Sequence, residues 1–430
     1  MNADAARCHR ATIRAYAWWE MARARWFVQA HPRSRRNVGD NQFVHGPTLV
    51  DHRHRGVTTP NCDTLYSTAW VDLSAGPLWL EVPATALPYW SIAVLDLHTD
   101  HAGLLGSRQA RGAPQRALLT PPGWAGSVPD GVLHLPVRTR VAWLLGRFLT
   151  GDEATRDAAD ALRRAVTLRR NGPDGQPGPD ATSPAPAQIE PQRRSLPNFL
   201  AVVNRLLADD PGLAGPDPAW LPPGLGPAAP AFDELPPADR HAWTEGFAAA
   251  LAQLDAGSSN RHRVNQGAWS RSDAGIGQFG DDHDYRAETA LWGLGALELH
   301  EAVYATTGTD DAGRPLHGGQ AIAVRFPPGG LACDSFWSLT MYEVDPEGGL
   351  YFTENAIDRY AIGDRTAGLV HAADGSLTVH CSREAPADPA ARANWLPSPA
   401  GALRLTLRAY WPRPELLDGR APWPELRVID

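Results

Sequence analysis

Residues 402–412 read ALRLTLRAYWP, and the pattern alternates without interruption. Leu403, Leu405, Leu407 and Ala409 fall on one face, Arg404, Thr406, Arg408 and Tyr410 on the other. Strict period two predicts a strand with one face buried and one polar, because successive side chains of a strand point to opposite sides. Shorter runs of the same kind, LWLEVP, YWSIAVLDL, VLHLPV and VAWLLGRFL, are separated by Pro and Gly turns between residues 40 and 150. They are rich in Val, Leu, Ile, Trp and Tyr, which suit a pleated surface. A chain built from such pieces folds as antiparallel sandwiches or barrels.

Helical period occurs in five other places. Ile13, Tyr16, Ala17, Met21, Ala24 and Phe27 recur at three- and four-residue steps within residues 4–30, the mark of an amphipathic helix. DEATRDAADALRRAVTL, LPNFLAVVNRLLADD and PADRHAWTEGFAAALAQLDA predict helices between residues 151 and 258, and YRAETALWGLGALELHEAVY predicts one more. Residues 170–192 have no period and are dense in Pro, Gly and Asp, which predicts a mobile loop. The organisation expected is an N-terminal helix over 1–35, a β-sandwich over 36–150, a helical connector over 151–258, and a second sandwich over 259–430. No repeat of fixed period is visible.

With 430 residues the chain is long enough for two cores. A net charge of −8 argues against a nucleic-acid partner. All 40 basic residues are arginine, so a lysine Schiff base and a lysine-bearing phosphate loop are both excluded. Codon bias explains this together with the abundance of Ala, Gly and Pro. Cys8, Cys62, Cys333 and Cys381 show neither a disulfide framework nor a zinc-ribbon spacing. No signal-peptide core or membrane-length apolar run is present, so the expectation is a soluble cytoplasmic protein without a membrane partner. Exposed sheet edges allow a homo-oligomer.

The motifs NQFVHGPTL, TTPNCDTLYSTAWVDLS and YWSIAVLDLHTDHAGLLGSR, and downstream FWSLTMYEVD, DRYAIGDRTAGLVHAADGSLTVH and NWLPSPAGALRLTLRAYWP, resemble the paired bacterial domains of unknown function 1254 and 1214. The resemblance spans nearly the whole chain outside 170–192. It implies a mainly β fold with α segments: two jelly-roll-type β-sandwich domains joined by a helical middle section, 1254-like and then 1214-like. It implies no activity. Cys62, His98, His101 and Asp358 depart from the pattern of the family, each adding an ionisable or nucleophilic group beside a matched motif.

The stretch GVTTPNCDTLYSTAW crowds Asn61, Asp63, Thr64 and Tyr66 into what otherwise reads as core strand. The groups either cap a turn after Pro60, as Asx residues do, or line a polar pocket. His45 titrates near neutrality without tuning. Asp96, centred in SIAVLDLHTDH, is a carboxylate in an apolar run, so it pairs with an arginine, Arg108 being nearest in sequence, or carries a raised pKa. These observations give His45, Asp63, Tyr66 and Asp96 as candidate catalytic residues. Asn61, Thr64, Arg108, Arg286, Arg359 and Tyr360 are candidate substrate contacts, since arginine forks near tyrosines suit carboxylate or hydroxyl recognition.

His52 and His54, in DHRHR, lie on one face of a strand and with His98 offer a lesser, metal-binding alternative; the surrounding charges fit a solvated turn better. GLGAL at 293–297 reads as close packing, and no serine-elbow, Walker or dinucleotide motif appears. The expectation is a soluble enzyme without cofactor or metal, a lyase, isomerase or hydrolase doing general acid–base chemistry on a small polar or hydroxylated molecule in a specialised biosynthetic or catabolic step. The alternatives are a non-catalytic carbohydrate- or metabolite-binding protein and a metal-dependent jelly-roll enzyme.

Overall fold

The computed structural model of the protein describes residues 1–32, 38–56, 58–172, 176–257 and 259–429. Its β structure forms four sheets arranged as two sandwiches. In the first, one sheet runs Val44–His45, Thr64–Asp72, Val141–Leu149, Trp90–Asp96, His101–Gly106. The opposing sheet runs Pro177–Asp180, Thr167–Asn171, Leu78–Val82, Gln115–Thr120, Leu133–Pro136. Alternate residues such as Leu65, Leu80, Ile92, Leu119 and Phe148 interdigitate between them and are almost wholly buried. The pattern of short apolar runs read from the sequence supplies this core.

In the second sandwich the larger sheet runs Arg263–Gln266, Trp269–Ser272, Ala302–Thr307, Leu403–Pro412, Cys333–Val344, Leu350–Tyr351, with Ala361–Gly363 also paired to Cys333–Val344. The smaller runs Trp395–Pro397, Leu377–Ser382, Ala321–Phe326, Glu425–Ile429. Leu403, Leu405, Leu407 and Ala409 point between the two sheets, as their alternation requires. The opposite face differs from the simple expectation of a wet surface. Only Arg404 is exposed there, whereas Thr406, Arg408 and Tyr410 are buried. That face meets the first sandwich rather than water.

Helices cover the outer face of the first sheet. The N-terminal helix Ala3–Gln29 shares one apolar cluster with Leu196–Asp209, Pro237–Ala256 and the sheet residues Trp70, Ala93, Leu95 and Leu145. Gly246 permits the closest crossing, since a Cβ there would stand 2.5 Å from the Ala5 carbonyl oxygen. Two expectations need adjusting. The helix predicted over YRAETALWGLGALELHEAVY stops at Gly293, and Ala302–Thr307 is a strand, because Gly295 (φ +80°) turns the chain onto Trp143 and Leu145. Within 170–192, Pro177–Asp180 pairs with Thr167–Asn171, and Ser183 bridges Asp40 at the sheet edge; residues 173–175 lie outside the described residues. A stretch without side-chain period can still join a sheet through its backbone. No helix of the described residues is long and apolar enough to cross a membrane.

The alternation at 403–409 yields a direct contrast. Leu407→Ala, at a position 1% exposed, should cost about 2–5 kcal/mol. Arg404→Ala, three residues away on the other face and exposed, should change stability by less than about 1 kcal/mol. Urea unfolding of both variants measures the difference, and equal losses would contradict the assigned register.

Candidate functional site

Backbone register sets side chains in rows, because residues directly opposite across a ladder share a face. On the first sheet Arg147 stands opposite Tyr66 on one side and Ser91 on the other. On the larger sheet of the second sandwich Arg408 stands opposite Tyr304 and Ser338. Two Tyr–Arg–Ser rows therefore occupy the faces that the sandwiches turn toward each other. Arg147, Ser91, Arg408 and Ser338 are buried, while Tyr66 and Tyr304 keep some accessible surface.

The loop before Thr64 crosses this seam. Asn61 Oδ1 accepts the Asp63 N–H at 2.7 Å, an Asx turn, while its Nδ2 donates to Tyr410 Oη at 2.9 Å. Asp63 accepts from Ser338 Oγ at 2.6 Å and from Arg365 Nη2 at 2.9 Å. The Asx groups shape a turn, and the same groups reach the second sandwich. Arg408 donates to Thr340 Oγ1, to Tyr342 Oη and to the carbonyl of Thr59, and Tyr342 donates to the Pro60 carbonyl. Thr59 sits at φ +54°, a conformation a β-branched residue adopts only when its surroundings hold it. Bonds to Leu350 and Arg408 supply that restraint.

Arg147 differs from Arg365 and Arg408 in having neither a carboxylate nor a full set of acceptors. Its Nη2 donates to the Gly295 carbonyl at 2.6 Å, and its guanidinium lies 5.6 Å from the centre of the Tyr66 ring. Nε and Nη1 are buried with no hydrogen-bond partner, and among the described residues no carboxylate pairs with it. A buried unpaired charge costs several kcal/mol. Around it, burial pushes the phenols of Tyr89, Tyr304 and Tyr410 above their ordinary range, so all three stay protonated at neutral pH.

Next to Tyr89 lies Glu301, 1% exposed. Its Oε1 accepts from Tyr89 Oη at 2.9 Å and from Trp411 Nε1 at 3.2 Å, while Oε2 has no partner. Burial raises its pKa, against the opposing effect of the Tyr89 and Trp411 bonds. Trp411, itself at φ +54°, also lines an open cleft of about 660 Å³ together with Arg108, His300, Asp334 and Arg413.

The sequence candidates divide clearly. Asn61, Asp63, Thr64 and Tyr66 belong to the seam; Thr64 Oγ1 is buried there without a partner. Arg108 stands at its margin, over the Trp411 ring. His45 does not join them, since it bonds Ser67, whose side chain points away from Tyr66 by strand alternation. Asp96 is also elsewhere, five residues along the strand from Ser91 and so about 16 Å away. Its partner is Arg138, at 2.7 Å, rather than Arg108. Asp96 Oδ1 also caps the turn to Asp100, and Arg138 and Arg286 both pair with Asp100. Arg286 thus serves this buried ion network. Arg359 donates to the carbonyls of Ala393 and Trp395, and Tyr360 bonds Asp358 and His52. Tyr360 stacks on Phe352, which stacks on Tyr342, so it meets the second row only through that cluster.

His52 and His54 are not gathered with His98, which accepts from Trp18 Nε1 at 3.1 Å and is held to a pKa of about 3 chiefly by burial. Among the described residues no three His, Cys, Asp or Glu side chains come together as ligands, so the metal alternative lacks a donor set. The seam residues missed from the sequence are Arg147, Tyr304, Arg408, Tyr410, Ser338, Arg365 and Glu301. Arg147 had a signal, a lone charge inside VAWLLGRFL, of the kind that singled out Asp96.

These features define a two-sandwich protein with a polar seam between its sandwiches. Residues 41–170 match the model of a family described as protein of unknown function (DUF1254), and residues 301–414 match another described as protein of unknown function (DUF1214). The chain thus carries the pairing its motifs suggest. The crystal structure of the VPA0106 protein from Vibrio parahaemolyticus shares the fold, with a TM-score of 0.71 at 22% identity, covering 99% of this chain and 100% of that one. An uncharacterized protein from Burkholderia cenocepacia gives a TM-score of 0.45 at 14% identity, over 98% of this chain and 88% of that one. No curated protein matches.

Two outcomes follow from these contacts. Asp63→Ala strips Arg365 of its carboxylate and Ser338 of its acceptor, and should cost on the order of 2 kcal/mol in urea unfolding; a variant as stable as the parent would show that Asp63 does not clamp the domains. Asp96 has a folded pKa raised from 3.8 to about 6 by burial, with Asp100 adding to the shift and Arg138 opposing it. Its protonated form is favoured by folding, so its contribution is full below the unfolded value and is lost as pH rises from about 4 to about 6. Asp96→Asn should flatten the stability profile in that window, and an unchanged slope would contradict the shift.

Proposed function

We propose that the seam is the active site of an enzyme that carries out general acid–base chemistry on a small polar organic molecule. The observation that carries this reading is the convergence of the two Tyr–Arg–Ser rows on Arg147, a buried cation with two unpartnered donors. Perturbed ionisable groups gathered in one place are what acid–base sites require. Glu301, with its raised pKa and free Oε2, is the proton carrier. The neutral phenols of Tyr304 and Tyr410, with Tyr66, are the hydrogen-bond donors to developing negative charge. Asp63 acts as a positioning residue, holding the loop against Ser338 and Arg365. His45 and Asp96 have no part in the chemistry. In this reading the sandwiches are jelly-roll-type scaffolds, and the protein works in the cytoplasm on a soluble metabolite.

One observation favours a binding protein instead: no histidine stands among the seam residues, and the phenols there are held neutral. Proton exchange separates the two readings. The protein, incubated in D2O with small hydroxy and keto compounds, should place deuterium at an activated carbon of at least one of them by NMR, and Glu301→Gln should reduce that rate at least 100-fold. Saturable binding of a compound with neither exchange nor turnover would leave the binding module standing and remove the enzyme.

A further inference from the structure

The unpartnered donors of Arg147 say what kind of molecule the seam accepts. We infer that its ligand is a small organic monocarboxylate with a neighbouring oxygen, a hydroxy or keto acid, anchored through the Arg147 guanidinium; this rests on the seam being the functional site proposed above.

Arg365 is neutralised by Asp63 at 2.9 Å. Arg408 is spent on Thr340, Tyr342 and the carbonyls of Thr59 and Pro60. Arg365 Nε is also buried without a hydrogen-bond partner, but its charge is matched by Asp63; Arg147 alone among the three has buried free donors, at Nε and Nη1, and neither a carboxylate nor a full set of other acceptors. Holding the Gly295 carbonyl does not explain it, since that needs one N–H and no charge. A buried guanidinium is stabilised by an anion that hydrogen-bonds it, and a planar carboxylate matches its geometry. One free cation fits one anionic group, so a second carboxylate would find no partner among these residues.

The neighbouring oxygen follows from the phenols. Tyr66 stands directly across the ladder from Arg147 and its ring faces the guanidinium, leaving a hydroxyl beside the anchor. Tyr66 keeps part of its surface accessible. Tyr304, from the other domain, is likewise partly accessible. A donor next to a carboxylate anchor addresses an oxygen next to the carboxylate. Phe336 stacked on Tyr410 at 4.2 Å, with Tyr89 edge-on to both, forms an apolar aromatic cluster beside Tyr304, whose ring centre lies 6.4 Å from that of Tyr410.

The test uses the full chain with lactate and mandelate, their neutral amides, and inorganic phosphate, read by thermal shift and calorimetry. The acids should raise Tm saturably and the amides should not. Arg147→Gln should weaken acid binding at least tenfold, and without ligand it should melt no lower than the parent, because it removes an unpaired buried charge. A ligand-free Arg147→Gln that melts well below the parent, with acids giving no stabilisation of the parent, would make Arg147 structural and overturn the inference. Phosphate stabilising as well as the acids would overturn the carboxylate class. Amides binding as tightly as acids, with both weakened by Tyr66→Phe, would remove the charge requirement while leaving the seam as the site. Acid binding untouched by both Arg147→Gln and Tyr66→Phe would place the ligand elsewhere and take the proposed site down with it.

Discussion

Two β-sandwiches that press polar faces together must pair every group they dehydrate, and this constraint organises the molecule. A hydroxyl or carboxylate lost from water without a partner is costly, and here most of the partners come from the other domain. Asn61 meets Tyr410, Asp63 meets Ser338 and Arg365, Tyr89 meets Glu301, and Tyr342 meets the carbonyl of Pro60. The strained backbone at Thr59 is held from the second sandwich as well. Each sandwich has its own apolar core, so the polar seam does not supply the bulk of the burial energy. It fixes how the two cores sit against each other.

Against that background an unsatisfied group is informative. Arg147 and Glu301 are both buried, both ionisable, and both short of partners at particular atoms. The ion network of Asp96, Asp100, Arg138 and Arg286 is the contrasting case: its two carboxylates and Arg286 are buried and Arg138 reaches in from the surface, but each carboxylate has an arginine partner and Asp96 also caps a turn. Paired networks position elements, while unpaired groups leave capacity for a ligand. The same distinction separates Arg408, fully engaged, from Arg147 in the corresponding place of the opposite row.

The fold was legible where side-chain period and backbone pairing agree. Leu403 to Ala409 showed their buried face, and residues 4–30 their helix, although that helix is buried all round from Ala15 to Met21 and Phe27, placed in the expected stripe, is exposed. The strand at Pro177–Asp180 was not legible, because edge pairing through backbone groups leaves no side-chain pattern. Half of the candidate site was legible as well. Polar residues crowded into TTPNCDTLY marked the first sandwich's contribution, since that density cannot be buried without partners. The partners could not be found, because Ser338, Arg365 and Tyr410 lie about 300 residues away in sequence, and nothing local says which strand faces which. Asp96 misled for the same reason that Arg147 was overlooked: a lone charge in an apolar run announces a buried polar environment without saying whether its partner is a protein group or a ligand.

The most direct measurement is a high-resolution crystal structure of the protein grown with a saturating small hydroxy acid. The account predicts density for the acid between the two Tyr–Arg–Ser rows, with a carboxylate oxygen within hydrogen-bonding distance of Arg147 Nε or Nη1. A seam closed without ligand, with Arg147 matched by a protein group and the acid bound outside the domain interface, would contradict it.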